Sequence, residues 1–356
     1  MRQGAAALGT RGGRNGMQVV VVGAGAVGGS MAVKLADAGH TVGVVARGAH
    51  LQAIRAQGLT LYDPAGAVTV PLQASDRPED FGPQDLIVLG VKAHQIGPLL
   101  PRLRSMLRHD TVVLPAINGL PWWYFHGDVG ARQPAGSPAR IACLDPDGHM
   151  DAALDAAHIV GCVVHGAAEV TAPGTITANG QYRYVIGEPR HEPSARVDAL
   201  ADALRAAGCD PQPTARIRDA IWMKLIGNAA FNPVAALTRA RMDQICASPG
   251  LLGLVRGIML ELIALTHAYG CDPQVDADTR IAIGRGIGPV KPSTLQDLER
   301  GHALEVDPLL GAPVELARRA GLAMPLTEAM LALLAELDRR VVSDAQGLRS
   351  GRRGLG

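Results

Sequence analysis

A lysine and two asparagines lie in one predicted helix, in the segment IWMKLIGNAAFNP. Lys224, Asn228 and Asn232 are spaced four residues apart, so they share one helix face and drift by only about 40° per step. A lysine is protonated at neutral pH and can donate a proton to a developing alkoxide while its charge stabilises the transition state. The stripe therefore indicates ketone reduction. A stripe that only faces water, or an Asn232 that only ends the helix before Pro233, would show the same spacing.

A glycine-rich segment, GAGAVG, follows a short apolar run and precedes a stretch of helix-forming residues. In that context its GxGxxG spacing predicts a dinucleotide-binding turn. Gly23 permits the tight turn, Gly25 leaves room for a pyrophosphate, and Gly28 allows the helix to pack closely on the strand. With Ala26 and Val27, these glycines would present the helix N-terminus to the cofactor phosphates. A glycine-rich turn without a ligand is the alternative.

Three more polar residues follow predicted strands at the edge where doubly wound folds bind ligands. Arg47 ends the second strand, at the position where NAD-specific sites carry an acid, so it favours the 2′-phosphate of NADP. Lys92 follows DLIVLGV and could contact the cofactor phosphate or ribose, while Asn118 in LPAINGL could meet the nicotinamide. A surface arginine, a loop lysine and a plain Asn-Gly turn are the alternatives.

Two residues near the C-terminus stand out less clearly, in the segment KPSTLQDLERGHALEVD. Ser293 is a possible helix cap reinforced by Gln296, and Glu305 lies between predicted helices. The eleven histidines show no metal-ligand spacing such as HExxH, and there is no GxSxG. The sequence therefore predicts neither a metal site nor a serine nucleophile.

The elements that must position these residues alternate between strand and helix in the first half of the chain. Strands are predicted over 17–22, 41–46, 86–90 and 111–114, helices over 26–38 and 96–107, and a hairpin over 59–72. This alternation predicts an open, doubly wound parallel sheet of the Rossmann type. Short β segments over 159–186 are expected to complete that sheet with antiparallel or mixed strands.

From Arg216 onward the sequence shows only helical periodicity. Helices are predicted over 217–232, 251–268, 275–283 and 314–340. The fold class is therefore α/β, with an N-terminal Rossmann-type domain followed by an all-helical domain. The predicted limits are 1–16 for a disordered tail, 17–214 for the NADP-binding domain, 215–342 for the substrate and catalytic domain, and 343–356 for a flexible tail.

Composition and charge narrow the class of partner. The 356 residues are 47% hydrophobic and 19% charged, which is enough to bury a large core, and 34 basic residues balance 33 acidic ones. This balance gives no electrostatic reason to expect nucleic acid or an anionic membrane. The five cysteines form no CxxC pair, which favours a reducing compartment. The first segment has no apolar signal region, and the most apolar helix carries charges, so neither secretion nor a membrane span is expected. These features predict a cytoplasmic protein. A small molecule is the expected partner.

Taken together and in this order, five segments resemble ketopantoate reductases: VVVVGAGAVGG, LGVKAHQ, INGLPWWYF, WMKLIGNAAFNP and STLQDLERGHALEVD. The resemblance runs over most of residues 17–337. It implies a Rossmann-type domain and a helical domain, with NADPH and a 2-oxo acid in the cleft between them.

The resemblance also implies roles for individual residues. Lys224 would be the general acid that protonates the carbonyl oxygen, and Glu305 would orient the substrate and this lysine. The other matched residues would bind ligands: the glycines, Ala26, Val27, Arg47, Lys92 and Asn118 the cofactor; Asn118, Asn228 and Asn232 the hydroxyl and carbonyl side of the substrate; Ser293 its carboxylate.

Three functions remain open on this basis. The first is NADPH-dependent reduction of 2-dehydropantoate to (R)-pantoate, a step toward pantothenate and coenzyme A. The second is reduction of a different 2-oxo acid, suggested by the PWWYF segment and the long loop over 131–150. The third is a non-catalytic NADP(H) sensor, which would have no need of Lys224. The chain is expected to be a monomer or a homodimer, because the apolar helix over 251–268 suits a core or an interface equally.

Overall fold

The computed structural model describes residues 16–127, 139–180 and 182–353, with side chains as far as residue 344. The disordered tail predicted for residues 1–16 lies outside these ranges, apart from Gly16. In chain order the strands are β1 (Gln18–Val22), β2 (Thr41–Val45), β3 (Leu59–Asp63), β4 (Gly66–Val70), β5 (Gln73–Ser75), β6 (Leu86–Leu89), β7 (Val112–Pro115), β8 (Gly161–His165), β9 (Ala168–Ala172), β10 (Thr175–Ala178), β11 (Arg183–Gly187) and β12 (Asp210–Pro213).

The helices follow the same chain order. They are α1 (Ala26–Asp37), α2 (Gly48–Gln57), α3 (Ile96–Leu99), α4 (His149–Ala153), α5 (Ala195–Ala206), α6 (Ile217–Thr238), α7 (Met242–Ala247), α8 (Pro249–Ala268), α9 (Ala277–Gly286), α10 (Ser293–Glu299), α11 (Ala312–Arg319) and α12 (Pro325–Arg353). A π-helical turn, Asp307–Gly311, leads into α11.

A parallel five-stranded sheet carries the glycine-rich segment. Its strand order is β5-β2-β1-β6-β7, and Val22 at the end of β1 lies beside Val45 of β2 and Leu89 of β6. The apolar, β-branched runs of these strands are buried because helices cover a parallel sheet on both faces. The predicted doubly wound parallel sheet is confirmed, as is the helical region that follows it.

The strands over 159–186 mostly do not complete this sheet, so that prediction is wrong. They build a four-stranded sheet, β4-β3-β10-β9, and a three-stranded sheet, β12-β11-β8. Only one parallel bridge, Val113 to Ile159, connects them to the first sheet among the described residues. The predicted hairpin β3–β4 takes β10 as a parallel partner, and Ile176 of β10 packs so closely on Gly29 of α1 that a side chain there would collide.

Several helix limits differ from the predicted ones. Helix α6 continues past Pro233 to Thr238, because Val234 and the two alanines after it are buried and their packing outweighs the missing N–H. The helix predicted over 314–340 is two helices, since Gly321 adopts φ +66° and Pro325 begins the next helix. The helix predicted over 96–107 is α-helical only in α3 and continues as 3₁₀ turns. Helices α2, α4 and α7 were not predicted.

The described residues form two compact units. The sheet unit contains residues up to 117, 125–127 and 148–217, and the helical unit contains 118–124, 139–147 and 218–353. The predicted limits assigned residues 118–124 to the first domain, whereas the structure groups them with the helical unit. Helix α12 continues to Arg353, so residues 343–353 of the predicted flexible tail are helical.

Candidate active site

The glycine-rich turn of the sheet unit is open at one position and crowded at the others. Gly23 has φ +99°, and a Cβ on Gly28 would lie 2.2 Å from the carbonyl oxygen of Gly23. Side chains are therefore excluded at both glycines. A Cβ on Gly25 would meet only the carbonyl oxygen of Gly90, at 4.0 Å. Space remains at Gly25 for a ligand to approach the backbone.

The N-terminus of α1 begins at this open position. Gly25 is its N-cap and supplies no side-chain hydrogen bond, and no acidic residue lies in the first turn. The first helical residues, Ala26 and Val27, have backbone N–H groups that the helix itself cannot satisfy. A helix end with free donors and a partial positive charge fits the pyrophosphate of a dinucleotide.

Arg47 and Lys92 lie on either side of this turn. Strands β2 and β6 flank β1 in parallel, and Arg47 and Lys92 follow their carboxyl ends. Arg47 is exposed and is the N-cap residue of α2. The structure thus gathers the predicted cofactor residues at one sheet edge, with the exception of Asn118, which belongs to the helical unit. Their roles remain predictions.

One residue of the sheet unit was not singled out from the sequence. His50, in the first turn of α2, bonds through Nε2 to the carbonyl oxygen of Ala24 at 2.8 Å, and its Nδ1 accepts the Gly174 N–H at 3.0 Å. Because Nδ1 accepts, Nε2 must carry the proton and donate it. His50 therefore ties the glycine-rich turn to the loop between β9 and β10.

In the helical unit, an asparagine joins the predicted lysine to the predicted glutamate. Lys224 Nζ donates to Asn118 Oδ1 at 2.8 Å, and Asn118 Nδ2 donates to Glu305 Oε2 at 3.3 Å. Glu305 is 5% exposed, whereas Lys224 and Asn118 are partly exposed. One amide side chain thus joins the lysine to the buried carboxylate and fixes the position of both.

The backbone explains why Asn118 and Glu305 meet. Gly119 adopts φ +79°, and a Cβ there would lie 2.4 Å from the carbonyl oxygen of Pro308. The Leu120 N–H donates to that same oxygen at 2.8 Å. The Asn118-Gly119 turn is thereby fixed against the π-helical turn that directly follows Glu305.

The remaining substrate residues lie further along α6 and at the start of α10. Asn232 is buried, and its Nδ2 donates to Ser293 Oγ at 3.4 Å, so this asparagine does not simply face water. Asn228 lies between Lys224 and Asn232 and is partly exposed. The predicted cap at Ser293 is wrong: Pro292 is the N-cap of α10, and Ser293 is its first helical residue.

Helix α6 is anchored near its start by the PWWYF segment. Trp222 Nε1 donates to the Tyr124 hydroxyl at 2.8 Å, and Arg218 Nε donates to the Tyr124 carbonyl at 2.7 Å. Burial raises the pKa of Tyr124 well above its ordinary value, so the phenol stays neutral. These bonds hold the helix that carries Lys224 within the helical unit.

Metal-ligating groups and apolar helices bear on the predicted partners. Within the ranges that the structure describes, no group of three or more His, Cys, Asp or Glu residues could hold a metal ion. Helix α8 is long and apolar enough to cross a membrane, but the core helix of a soluble protein can have the same length and composition. It carries Glu261, whose carboxylate accepts the Leu326 and Thr327 N–H groups at the start of α12.

A dinucleotide-type turn and a lysine held by an amide and a carboxylate define a nicotinamide-dependent oxidoreductase as the class of protein. Residues 19–122 match the family described as Ketopantoate reductase PanE/ApbA, and residues 216–338 match Ketopantoate reductase PanE/ApbA C terminal. A 2-dehydropantoate 2-reductase from Mesorhizobium japonicum is 40% identical over 322 residues, or 90% of this chain and 98% of that protein.

Solved structures agree with these matches. A 2-dehydropantoate 2-reductase from Geobacter metallireducens has a TM-score of 0.78 and 28% identity, covering 89% of this chain and 99% of its own. A D-mandelate dehydrogenase solved with NADH and anilino(oxo)acetate has a TM-score of 0.76 at 21% identity, covering 91% and 99%, and shares the fold. The chain belongs to the ketopantoate reductase family. It is an oxidoreductase acting on CH–OH groups, and the family is NADPH-dependent.

Proposed function

We propose that this protein acts in the cytoplasm to reduce the ketone of 2-dehydropantoate to (R)-pantoate with NADPH, a step in pantothenate biosynthesis. The family membership and the 40% identical relative support this substrate. The observation that carries the chemistry is the hydrogen-bonded series Lys224–Asn118–Glu305.

The sheet unit supplies the cofactor residues in this proposal. The N-terminus of α1 and the glycines of the turn bind the pyrophosphate, and Arg47 pairs with the 2′-phosphate that distinguishes NADPH from NADH. Lys92 contributes at the neighbouring strand end. When bound, NADPH supplies the hydride that reduces the ketone carbon.

The helical unit supplies the acid. Lys224 Nζ donates a proton to the ketone oxygen as negative charge develops there, and its own charge stabilises that oxygen. Asn118 orients the ammonium group through Oδ1, and Glu305 orients the amide and the substrate. Asn228, Asn232 and Ser293 bind the substrate beside the lysine.

A second candidate is reduction of a different 2-oxo acid by the same residues. The D-mandelate dehydrogenase of the same fold was solved with anilino(oxo)acetate, which is also a 2-oxo acid derivative. The acid chemistry of Lys224 would be unchanged, and only the side-chain pocket would differ.

The test is NADPH oxidation, followed by absorbance, with ketopantoate and a panel of other 2-oxo acids. Lys224→Ala is expected to lower turnover by about 100- to 10,000-fold, because the proton donor is lost, while NADPH affinity stays nearly intact. Lys291→Ala, at an exposed lysine paired with Glu299, is the matched control. Parental rates in Lys224→Ala would contradict the mechanism. Activity only with a 2-oxo acid other than ketopantoate would favour the second candidate. NADPH binding without turnover of any 2-oxo acid would favour a sensor.

A further inference from the structure

A buried arginine in α9 has no counter-charge among the residues that the structure describes. Arg280 is 9% exposed, and its Nε and Nη1 are shielded from solvent without a hydrogen-bond partner. Burying an ionised group without a partner is energetically unfavourable. Burial accordingly lowers the pKa of this guanidinium. An arginine in such surroundings would be stabilised by an anion that reaches it.

The acids of the same helix do not neutralise it. Asp276 accepts the Thr279 N–H as the N-cap of α9, and Asp278 forms a two-bond ion pair with Arg256 at 2.9 Å. No ion pair joins Arg280 to an acid in the part of the chain that the structure describes. The charge therefore remains available for a ligand.

The guanidinium lies directly on the helix that carries the candidate acid. A Cβ on Gly227 would lie 1.9 Å from Arg280 Nη2 and 2.4 Å from Nε, so only a glycine accommodates it. Gly227 follows Lys224 by three residues, which is less than one helical turn, and precedes Asn228. One turn further along α9, a Cβ on Gly284 would lie 2.7 Å from the Phe231 ring of α6, so a glycine is required there as well. The two helices thus approach through glycines on both sides.

We propose that Arg280, together with Ser293, binds the carboxylate of the 2-oxo acid whose ketone oxygen Lys224 protonates. The proposal rests on the function proposed above. The carboxylate of a 2-oxo acid is bonded to its ketone carbon, so the group that binds the carboxylate must lie beside the group that protonates the ketone oxygen. Arg280 meets this condition because its guanidinium packs on Gly227, less than one helical turn from Lys224. A charge-assisted hydrogen bond from a guanidinium to a carboxylate is stronger than a neutral one, and burial strengthens it further.

The test compares a charged and a neutral substrate analogue. Calorimetry in the presence of NADP⁺ measures the binding of oxamate, which carries a carboxylate, and of oxamide, which does not. Arg280→Gln is expected to weaken oxamate binding about 100-fold and leave oxamide within about threefold. In turnover, kcat/KM for ketopantoate is expected to fall similarly, mostly through KM. Arg285→Gln, at an exposed arginine of the same helix, is the matched control and should change neither.

A second variant moves the guanidinium without removing it. Gly227→Ala places a Cβ on the position of Nη2, while alanine favours the interior of a helix. It is expected to reproduce the selective loss of oxamate binding with α6 intact.

The outcomes separate this proposal from the proposed function. Equal oxamate affinity in the parent and Arg280→Gln, absence of oxamate binding to the parent, or equal losses for oxamate and oxamide would overturn the role of Arg280. Selective loss of oxamate binding supports it. A parent protein that binds oxamate through Arg280 but reduces no 2-oxo acid would contradict the proposed function alone.

Discussion

Asn118 is the residue on which the helical site depends most directly. Its amide accepts from Lys224 and donates to Glu305, so one side chain orients both ionisable groups. Residues that act as one unit lose their effects together, and substitutions of the three should therefore be non-additive.

Arg47 carries the choice of cofactor at the residue scale. Arg47→Asp is expected to weaken NADPH binding about 10- to 100-fold, because a 2′-phosphate loses a cation and meets a carboxylate. NADH binding should be unchanged or improved. Fluorescence titration with both cofactors measures this, with Arg205→Asp, at an exposed arginine of α5, as the control. Unchanged discrimination would remove Arg47 from the cofactor site.

His50 holds the glycine-rich turn in place. His50→Ala removes two hydrogen bonds to the backbone, each worth about 1 kcal/mol, and is expected to weaken NADPH binding about 10-fold. The same titration checks it, with exposed His109→Ala as the control. A mutant that binds NADPH as the parent does would show that the turn keeps its shape without the imidazole.

At the scale of elements, α8 supports α12 by an unusual cap. The Glu261 carboxylate accepts Leu326 N–H at 3.0 Å, Thr327 N–H at 2.9 Å and the Thr327 hydroxyl at 2.7 Å. These N–H groups belong to the first turn after Pro325, where the helix itself offers no acceptor. A charged residue within an apolar helix thus satisfies the end of another helix.

Removing this cap should destabilise the protein. Glu261→Ala is expected to lower the free energy of unfolding by about 1 to 3 kcal/mol, because two N–H donors and a hydroxyl lose their acceptor. Denaturant unfolding followed by circular dichroism measures the loss. Glu336→Ala removes exposed ion pairs with Arg339 and Arg340 and should cost under about 1 kcal/mol. Equal costs for the two variants would contradict the capping role.

At the scale of the whole molecule, the buried carboxylate of Glu188 couples stability to pH. Burial acts to raise its pKa, but hydrogen bonds from Arg196 and Ser194 outweigh burial and hold the pKa below its ordinary value. A carboxyl with a lowered pKa in the folded state contributes stability above its unfolded pKa of about 4.3. That contribution is lost as the pH falls through the folded-state value.

Glu188→Gln should therefore lose stability mainly at neutral pH. The free energy of unfolding is expected to fall by about 1 to 3 kcal/mol at pH 7, and the gap to the parent should close toward pH 3. Unfolding curves across this range test it, with the exposed Glu192→Gln as the control. A gap of constant size at every pH would show that the pair contributes packing and not charge.

Much of the fold was predictable because its signals are local. Buried β-branched runs, the GxGxxG turn and helical periodicity act over a few residues, so β1, α1, β2 and the long helices α6 and α8 were found from the pattern. The pairing of β3 with β10 was not, because the backbone edge of a short strand can pair with several other strands.

The sequence by itself determined which functional groups are present: a dinucleotide turn and a lysine with two asparagines on one helix face. It also determined the order of the segments that mark the family. Only the tertiary structure decided which of them meet. Asn118 reaches Lys224 across 106 residues and Glu305 across 187. The Arg280 guanidinium packs on α6 only because Gly227 has no side chain there. Such contacts depend on close packing between distant segments, which local patterns do not encode.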